Sequence, residues 1–260
     1  MKLYQVDAFT NEAFKGNPAG VWIGEQFPDE RIMQRIAAEM NVSETAFVAC
    51  GKEDYWIRYF TPTREVPLCG HATLASAHVL HELGYAPDSG NVTLRATEAE
   101  LPVSVSGGRV RMSFPAYTIS PLESFASLEA VLGAPVEEAF RSENGWIVAR
   151  LPDEQALVHA RPDFPAIEAD LIAATAISSL ERYDYSVRVF CHPSFGIGED
   201  PVTGAAQCIL APYWSGQLGK KRLFSRQLSM RGGEMEANLH LDKITIVGQA
   251  VTVFTINVHV

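Results

Sequence analysis

Three short patterns occur twice along this chain in the same order, and this constrains its fold more than any other feature. Arg58-Tyr59-Phe60 returns as Arg188-Val189-Phe190, Gly70-His71-Ala72-Thr73 as Gly204-Ala205-Ala206-Gln207, and Gly107-Gly108 as Gly232-Gly233, at offsets of 130, 134 and 125 residues. Taken singly, each match is of a kind that arises by chance. Together they indicate a duplicated α+β unit: a strand carrying Arg-x-Phe, a helix that starts on glycine, and a hairpin whose paired glycines supply positive φ. Each unit would wrap its strands around one central helix. Residues 115–124 are rich in Pro, Ser and Thr and place the boundary, giving units 1–115 and 116–249, with a last strand at about 250–260 joining the first.

A length of 260 residues suits two such units. The net charge of −10 argues against a nucleic-acid or anionic-membrane surface. No run of 18 apolar residues is present, and the first residues enter a strand pattern with no signal-peptide core, so a cytoplasmic protein with no membrane contact is expected. Cys50, Cys69, Cys191 and Cys208 form no Cys-x-x-Cys pair and read as reduced, mostly core thiols. The histidine spacing gives no metal site, and no nucleotide-binding glycine fingerprint is present, so neither metal nor cofactor is expected.

Pattern and punctuation predict helices over 28–41, 70–83 (closed by Gly84), 127–132, 167–178 and 203–214. Strands are expected over 3–9, 46–50, 55–60, 91–96, 136–140, 146–151, 185–191, 243–247 and 250–260, with hairpins around Gly107-Gly108 and Gly232-Gly233. Asn17 falls in a Gly-Asn-Pro turn, and Glu44 in a polar Ser-Glu-Thr connection.

The chemistry concentrates at the two helix starts. A helix N-terminus presents unpaired N–H groups and a partial positive charge. Small residues at Gly70 and Ala72, and at Gly204 and Ala205, would leave that backbone open to a carboxylate or an enolate; the same residues would also permit close helix–sheet packing. Glu44 taken alone is an exposed loop acid, although a carboxylate beside so much apolar sequence suits a proton shuttle once its pKa is raised, with Ser43 and Thr45 placed to hydrogen-bond it. His71 could act as acid, base or donor, or simply face solvent. Asp200 is a turn acid or an orienting group. Cys69 sits where thiolates are stabilised, but Thr203 stands at the matching position of the second helix start, so a two-thiol mechanism is not expected and Cys69 reads as packing.

The motifs Asp7-Ala8-Phe9-Thr10, Gly16-Asn17-Pro18-Ala19-Gly20-Val21, Ser43-Glu44-Thr45-Ala46-Phe47-Val48, Cys69-Gly70-His71-Ala72-Thr73 and Glu199-Asp200-Pro201-Val202-Thr203-Gly204 span nearly the whole chain and resemble the PhzF-like family of phenazine-biosynthesis isomerases, related in fold to diaminopimelate epimerase. The resemblance implies two pseudo-symmetric domains with a site in the cleft between them. It implies a cofactor-independent isomerase acting on a small carboxylate, and a homodimer. It places the general acid/base on Glu44, with His71 and Asp200 as the other catalytic positions. Substrate-binding positions fall on Asn17, Gly70, Ala72, Thr203, Gly204 and Ala205. Family isomerases carry serine where this chain has Ala205, which puts the phenazine intermediate in doubt as substrate. A non-catalytic module binding a small acid or a protein is the alternative from another class, and a thiol-dependent epimerase using Cys69 a third.

Overall fold

A computed structural model of the chain describes residues 1–51, 54–241 and 243–259. The chain divides into two compact units, Met1–Ser113 with Val247–Val260, and Phe114–Ile246.

In the first unit, Lys2–Ala8 pairs antiparallel with Asn17–Gly24 on one side and with residues 250–257 on the other. Helix α1 (Glu30–Met40) then crosses to Glu44–Cys50, which runs parallel to Asn17–Gly24. Tyr55–Phe60 pairs back antiparallel, Glu65–Val66 adds a short strand, and α2 (Gly70–Glu82) follows. Asn91–Arg95 runs parallel to Tyr55–Phe60, and the meander continues through Glu100–Ser106 and Arg109–Pro115. Gly107 and Gly108 turn that last hairpin at φ 58° and 70°, the left-handed conformation both central residues of a tight primed turn require.

The second unit repeats this order after its first helix, α3 (Ala126–Leu132). Glu138–Ser142 and Ile147–Arg150 form a hairpin, α4 (Glu154–His159) crosses to Leu171–Ile177 in parallel with Ile147–Arg150, and Tyr185–Cys191 returns antiparallel. Glu199–Asp200 is the short strand, a 3₁₀ turn at Gly204–Ala206 leads into α5 (Gln207–Leu218), and Arg222–Gln227 runs parallel to Tyr185–Cys191 before Gly233–His240 closes the hairpin.

The Arg-x-Phe pattern recurs because the same contact is made twice. Arg58 donates Nε and Nη2 to Glu65 at 2.7 and 2.6 Å and lies 5.2 Å over the Phe60 ring. Arg188 donates the same pair of nitrogens to Glu199 at 2.8 and 2.9 Å and lies 4.8 Å over Phe190. Phe60 is opposite Glu65 in its ladder as Phe190 is opposite Glu199. Both pairs are bidentate forks combined with a cation–π contact.

The two central helices are buried almost all round. In α2 every residue from Ala72 to Ala77 is buried, with Val79 and Leu80, and small side chains let strands close around it. In α5 the run Gln207–Ala211 is buried, followed by Tyr213 and Trp214. Pro212 lies inside α5 and has no N–H to give the carbonyl of Cys208 four residues back. Tyr117 N–H fills that place at 2.9 Å. Trp214 donates its indole N–H to Thr175 Oγ1 at 3.0 Å and stacks on Tyr185 at 5.6 Å.

The segment predicted as a helix over 167–178 is instead the strand Leu171–Ile177. Its alanines suit a helix, but the strand is flanked by partners on both sides and buried on both faces, with Ile172, Ala174 and Ala176 packing into the cluster formed with Leu132 and Leu157. Small residues in a doubly covered strand give no period of two. Helix α4, capped by Asp153 accepting from Ala156 N–H at 2.7 Å, had no sequence counterpart. The strands expected at 243–247 and 250–260 are one, Lys243–Asn257, and Val260 lies outside the described residues.

Candidate active site

Helix α1 ends at Asn41, whose left-handed backbone (φ 49°) returns its N–H to Ala37 at 3.2 Å. Three residues later the chain enters the sheet, so Glu44 is the first residue of a strand and not a loop acid. Ala19 is its parallel neighbour, and Asn17, fully buried, lies two residues upstream on the same face of that neighbouring strand. Thr45 points the other way: it is fully buried beneath Gly20, and its hydroxyl makes no hydrogen bond. The expected Thr45–Glu44 hydrogen bond is therefore absent, because successive strand residues face opposite sides.

Cys69 takes the N-cap position of α2 with extended backbone and no side-chain capping bond. The first helical bond runs from Thr73 N–H to the Cys69 carbonyl at 3.0 Å, reinforced by Thr73 Oγ1 at 2.7 Å, with Tyr59 OH 2.6 Å from that hydroxyl. The N–H groups of Gly70, His71 and Ala72 precede this bond and have no intrahelical partner. A Cβ placed on Gly70 would meet nothing within 4 Å, so packing does not demand glycine there, and the backbone is open. Ala72 is fully buried.

His71 Nε2 lies 3.2 Å from Glu44 Oε2, with side chains 11% and 20% exposed respectively. Burial pushes the imidazole pKa down to about 4, so the ring is neutral at neutral pH. The tautomer protonated on Nε2 donates to the carboxylate and leaves Nδ1 facing the Cys69 thiol at 3.4 Å. The Cys69, His71 and Glu44 donor atoms all lie within 4.8 Å of one another.

The second unit carries the matching helix start with different chemistry. Asp200 accepts from Thr203 Oγ1 at 2.5 Å. Gln227 donates to the Asp200 carbonyl at 2.6 Å and accepts from Thr203 N–H at 2.9 Å, and Ser229 donates to the Pro201 carbonyl at 2.7 Å. Gly204 is buried within the 3₁₀ turn and Ala205 is exposed. Sheet register then defines equivalent positions. Thr45 opposes Phe60 as Ile172 opposes Phe190, so Leu171 occupies the place of Glu44. Counting from the paired Glu65 and Glu199, Thr203 stands for Cys69, Gly204 for Gly70, Ala205 for His71, and Asp200 for Val66. The acid–imidazole pair is present in the first repeat and replaced by leucine and alanine in the second.

Sequence reasoning missed Gln227, whose only signal was a polar residue ending a strand ahead of Gly232-Gly233, and the Cys69–His71 contact. His78 is mostly covered and bonds Glu82 and Thr252 at 3.2 and 3.3 Å.

Strands wrapped around a central helix, twice, with an acid–imidazole pair at one helix start, define an α+β fold of the diaminopimelate-epimerase-like type. A probable proline racemase from Agrobacterium radiobacter shares that fold with a TM-score of 0.63 at 14% identity, covering 99% of this chain and 92% of that one. The family described as phenazine biosynthesis-like protein, PhzC-PhzF, matches residues 6–256. A PhzF-family structure from Enterococcus faecalis superposes with a TM-score of 0.94 at 34% identity, covering 100% of this chain and 99% of that one. An uncharacterized isomerase from Halalkalibacterium halodurans is 39% identical over 255 residues, 96% of each chain, and a human phenazine biosynthesis-like domain-containing protein is 32% identical over 97% of each. The chain belongs to the PhzC-PhzF family and is an isomerase. No helix among the described residues is long and apolar enough to cross a membrane.

Proposed function

We propose that this isomerase moves a proton on a small carboxylate substrate, with Glu44 as its single general acid/base and no cofactor. Glu44 removes a proton from a carbon next to an unsaturated system and returns it at another carbon on the same face. The N–H groups at the start of α2 and the Nε2–H of His71 stabilise the negative charge that develops between the two transfers. Asn17, Gly70, Ala72, Thr203, Gly204 and Ala205 bind the substrate in this reading, and Asp200, held by Thr203 and Gln227, is the third catalytic position and orients it. A cytoplasmic homodimer completes the proposal.

The observation that carries it is the Glu44–His71 contact of 3.2 Å beside the open backbone of Gly70, with leucine and alanine at the equivalent places of the second repeat. The positions equivalent to Glu44 and His71 thus carry no titratable side chain in the second repeat, which favours one base working twice over two bases working once. The test is deuterium uptake: wild type and Glu44→Gln are incubated with a deproteinised metabolite extract in heavy water and product masses compared. A compound that gains deuterium with wild type alone supports the proposal. Equal uptake with Glu44→Gln removes it, and thermal stabilisation by the extract without uptake favours a binding module.

A further inference from the structure

We propose that Glu44, Cys69 and His71 form a binding site for a soft divalent cation of the zinc type, and that occupancy shuts the isomerase off. The three side chains supply one oxygen, one sulfur and one nitrogen donor, all within 4.8 Å of each other. Tetrahedral zinc, with bonds of about 2.3 Å to sulfur and about 2.0–2.1 Å to nitrogen and oxygen, holds such donors roughly 3.3–3.6 Å apart. His71 Nε2 is 3.2 Å from Glu44 Oε2 and 3.8 Å from Cys69 Sγ, so both separations that involve the imidazole lie within a few tenths of an ångström of that spacing, and the oxygen and sulfur are within 4.8 Å of each other. Three protein ligands leave the fourth position for water, the arrangement of an open zinc site.

The donors sit on rigid elements. Glu44 begins a strand paired on both sides, and Cys69 and His71 flank the first residue of a buried helix. The Cys69 backbone is fixed through its carbonyl by Thr73. Thiolate and imidazole select zinc-like ions over magnesium or calcium. Binding replaces the thiol proton, which leaves to solvent as the metal–sulfur bond forms, and His71 changes to the tautomer protonated on Nδ1, so that the Nε2 lone pair is given to the cation. Glu44 and His71, engaged by the cation, can no longer exchange or stabilise charge on carbon. This inhibition rests on Glu44 being the base; the binding does not.

The test uses cobalt(II) as the probe, because its thiolate charge-transfer and tetrahedral ligand-field bands report sulfur coordination without any substrate. Wild type is titrated with cobalt(II), and zinc(II) is used to displace it. The expected result is a thiolate band in wild type, its retention in Cys50→Ser, and its loss in Cys69→Ser. His71→Gln should weaken zinc affinity by more than the ~10–100-fold that loss of an outer-shell partner costs. Circular dichroism confirms that each variant is folded. No thiolate band in wild type, or a band that survives in folded Cys69→Ser, overturns the site. Since this readout needs no turnover, its failure leaves the deuterium experiment untouched, and failure of that experiment leaves the cation site standing.

Discussion

Glu154 gives the sharpest quantitative prediction. It opens α4 with its side chain 6% exposed, and Arg226 Nη2 lies 2.8 Å from its carboxylate. Ser179 N–H donates at 3.2 Å, and the hydroxyls of Ser179 and Ser186 donate as well. Burial alone would raise its pKa, but hydrogen bonds from Arg226, Ser179 and Ser186 outweigh it and bring the value from 4.5 down to about 2. A depressed carboxylate pKa contributes stability that is fully present above the unfolded value and is lost as pH falls toward the folded one. At about 1.4 kcal/mol per unit, the ionised group contributes about 3 kcal/mol near neutral pH and about half that near pH 3. Glu154→Gln removes the charge, leaves Arg226 without its counter-ion, and should cost about 3–5 kcal/mol at neutral pH. Urea unfolding followed by the fluorescence of buried Trp214 reads the difference, and the gap between wild type and variant should narrow by about 1–2 kcal/mol on going to pH 3. A gap below about 1 kcal/mol at neutral pH, or one that does not change with pH, would mean that Arg226 and the two serines do not hold the Glu154 charge.

Other substitutions probe other contacts. Thr45→Val replaces a buried hydroxyl that makes no hydrogen bond and should raise stability by about 1 kcal/mol in the same unfolding assay. Arg188 is 13% exposed against 24% for Arg58, and it also donates to the carbonyls of Leu157 and Ala160. Arg188→Lys should therefore cost about 2–3 kcal/mol and Arg58→Lys about 1 kcal/mol, as separate melting curves will show. Gln227→Ala strips hydrogen bonds from Thr203 N–H and the Asp200 carbonyl and should destabilise the second unit by about 2–3 kcal/mol, visible as faster amide exchange around residues 200–206.

The duplication was legible because it is written in contacts between residues close in sequence. Arg58 reaches Glu65 across one turn and Arg188 reaches Glu199 the same way, so Arg-x-Phe had to appear twice. The glycine helix starts and the Gly107-Gly108 turn were legible for the same local reason. Leu171–Ile177 was not, since its strand character comes from two neighbours and two covered faces, none of them encoded within the segment. The candidate site lay between these cases. Glu44 and His71 could be named, but their contact joins a strand start to a helix start 27 residues on, and no periodicity reports it. Cys69 was read as packing because the extended backbone that turns its sulfur toward His71 is a property of the cap and not of the residue. The substitution of Leu171 for Glu44 emerges only from register, which composition does not contain.

The strand Lys243–Asn257 begins in the second unit, and its residues 250–257 complete the first by pairing with Lys2–Ala8. During synthesis the first unit therefore leaves the ribosome with one flank of its opening strand bare. That flank stays bare until residues 250–257 have been added. Completion of the first unit is therefore tied to a segment made only after the whole second unit.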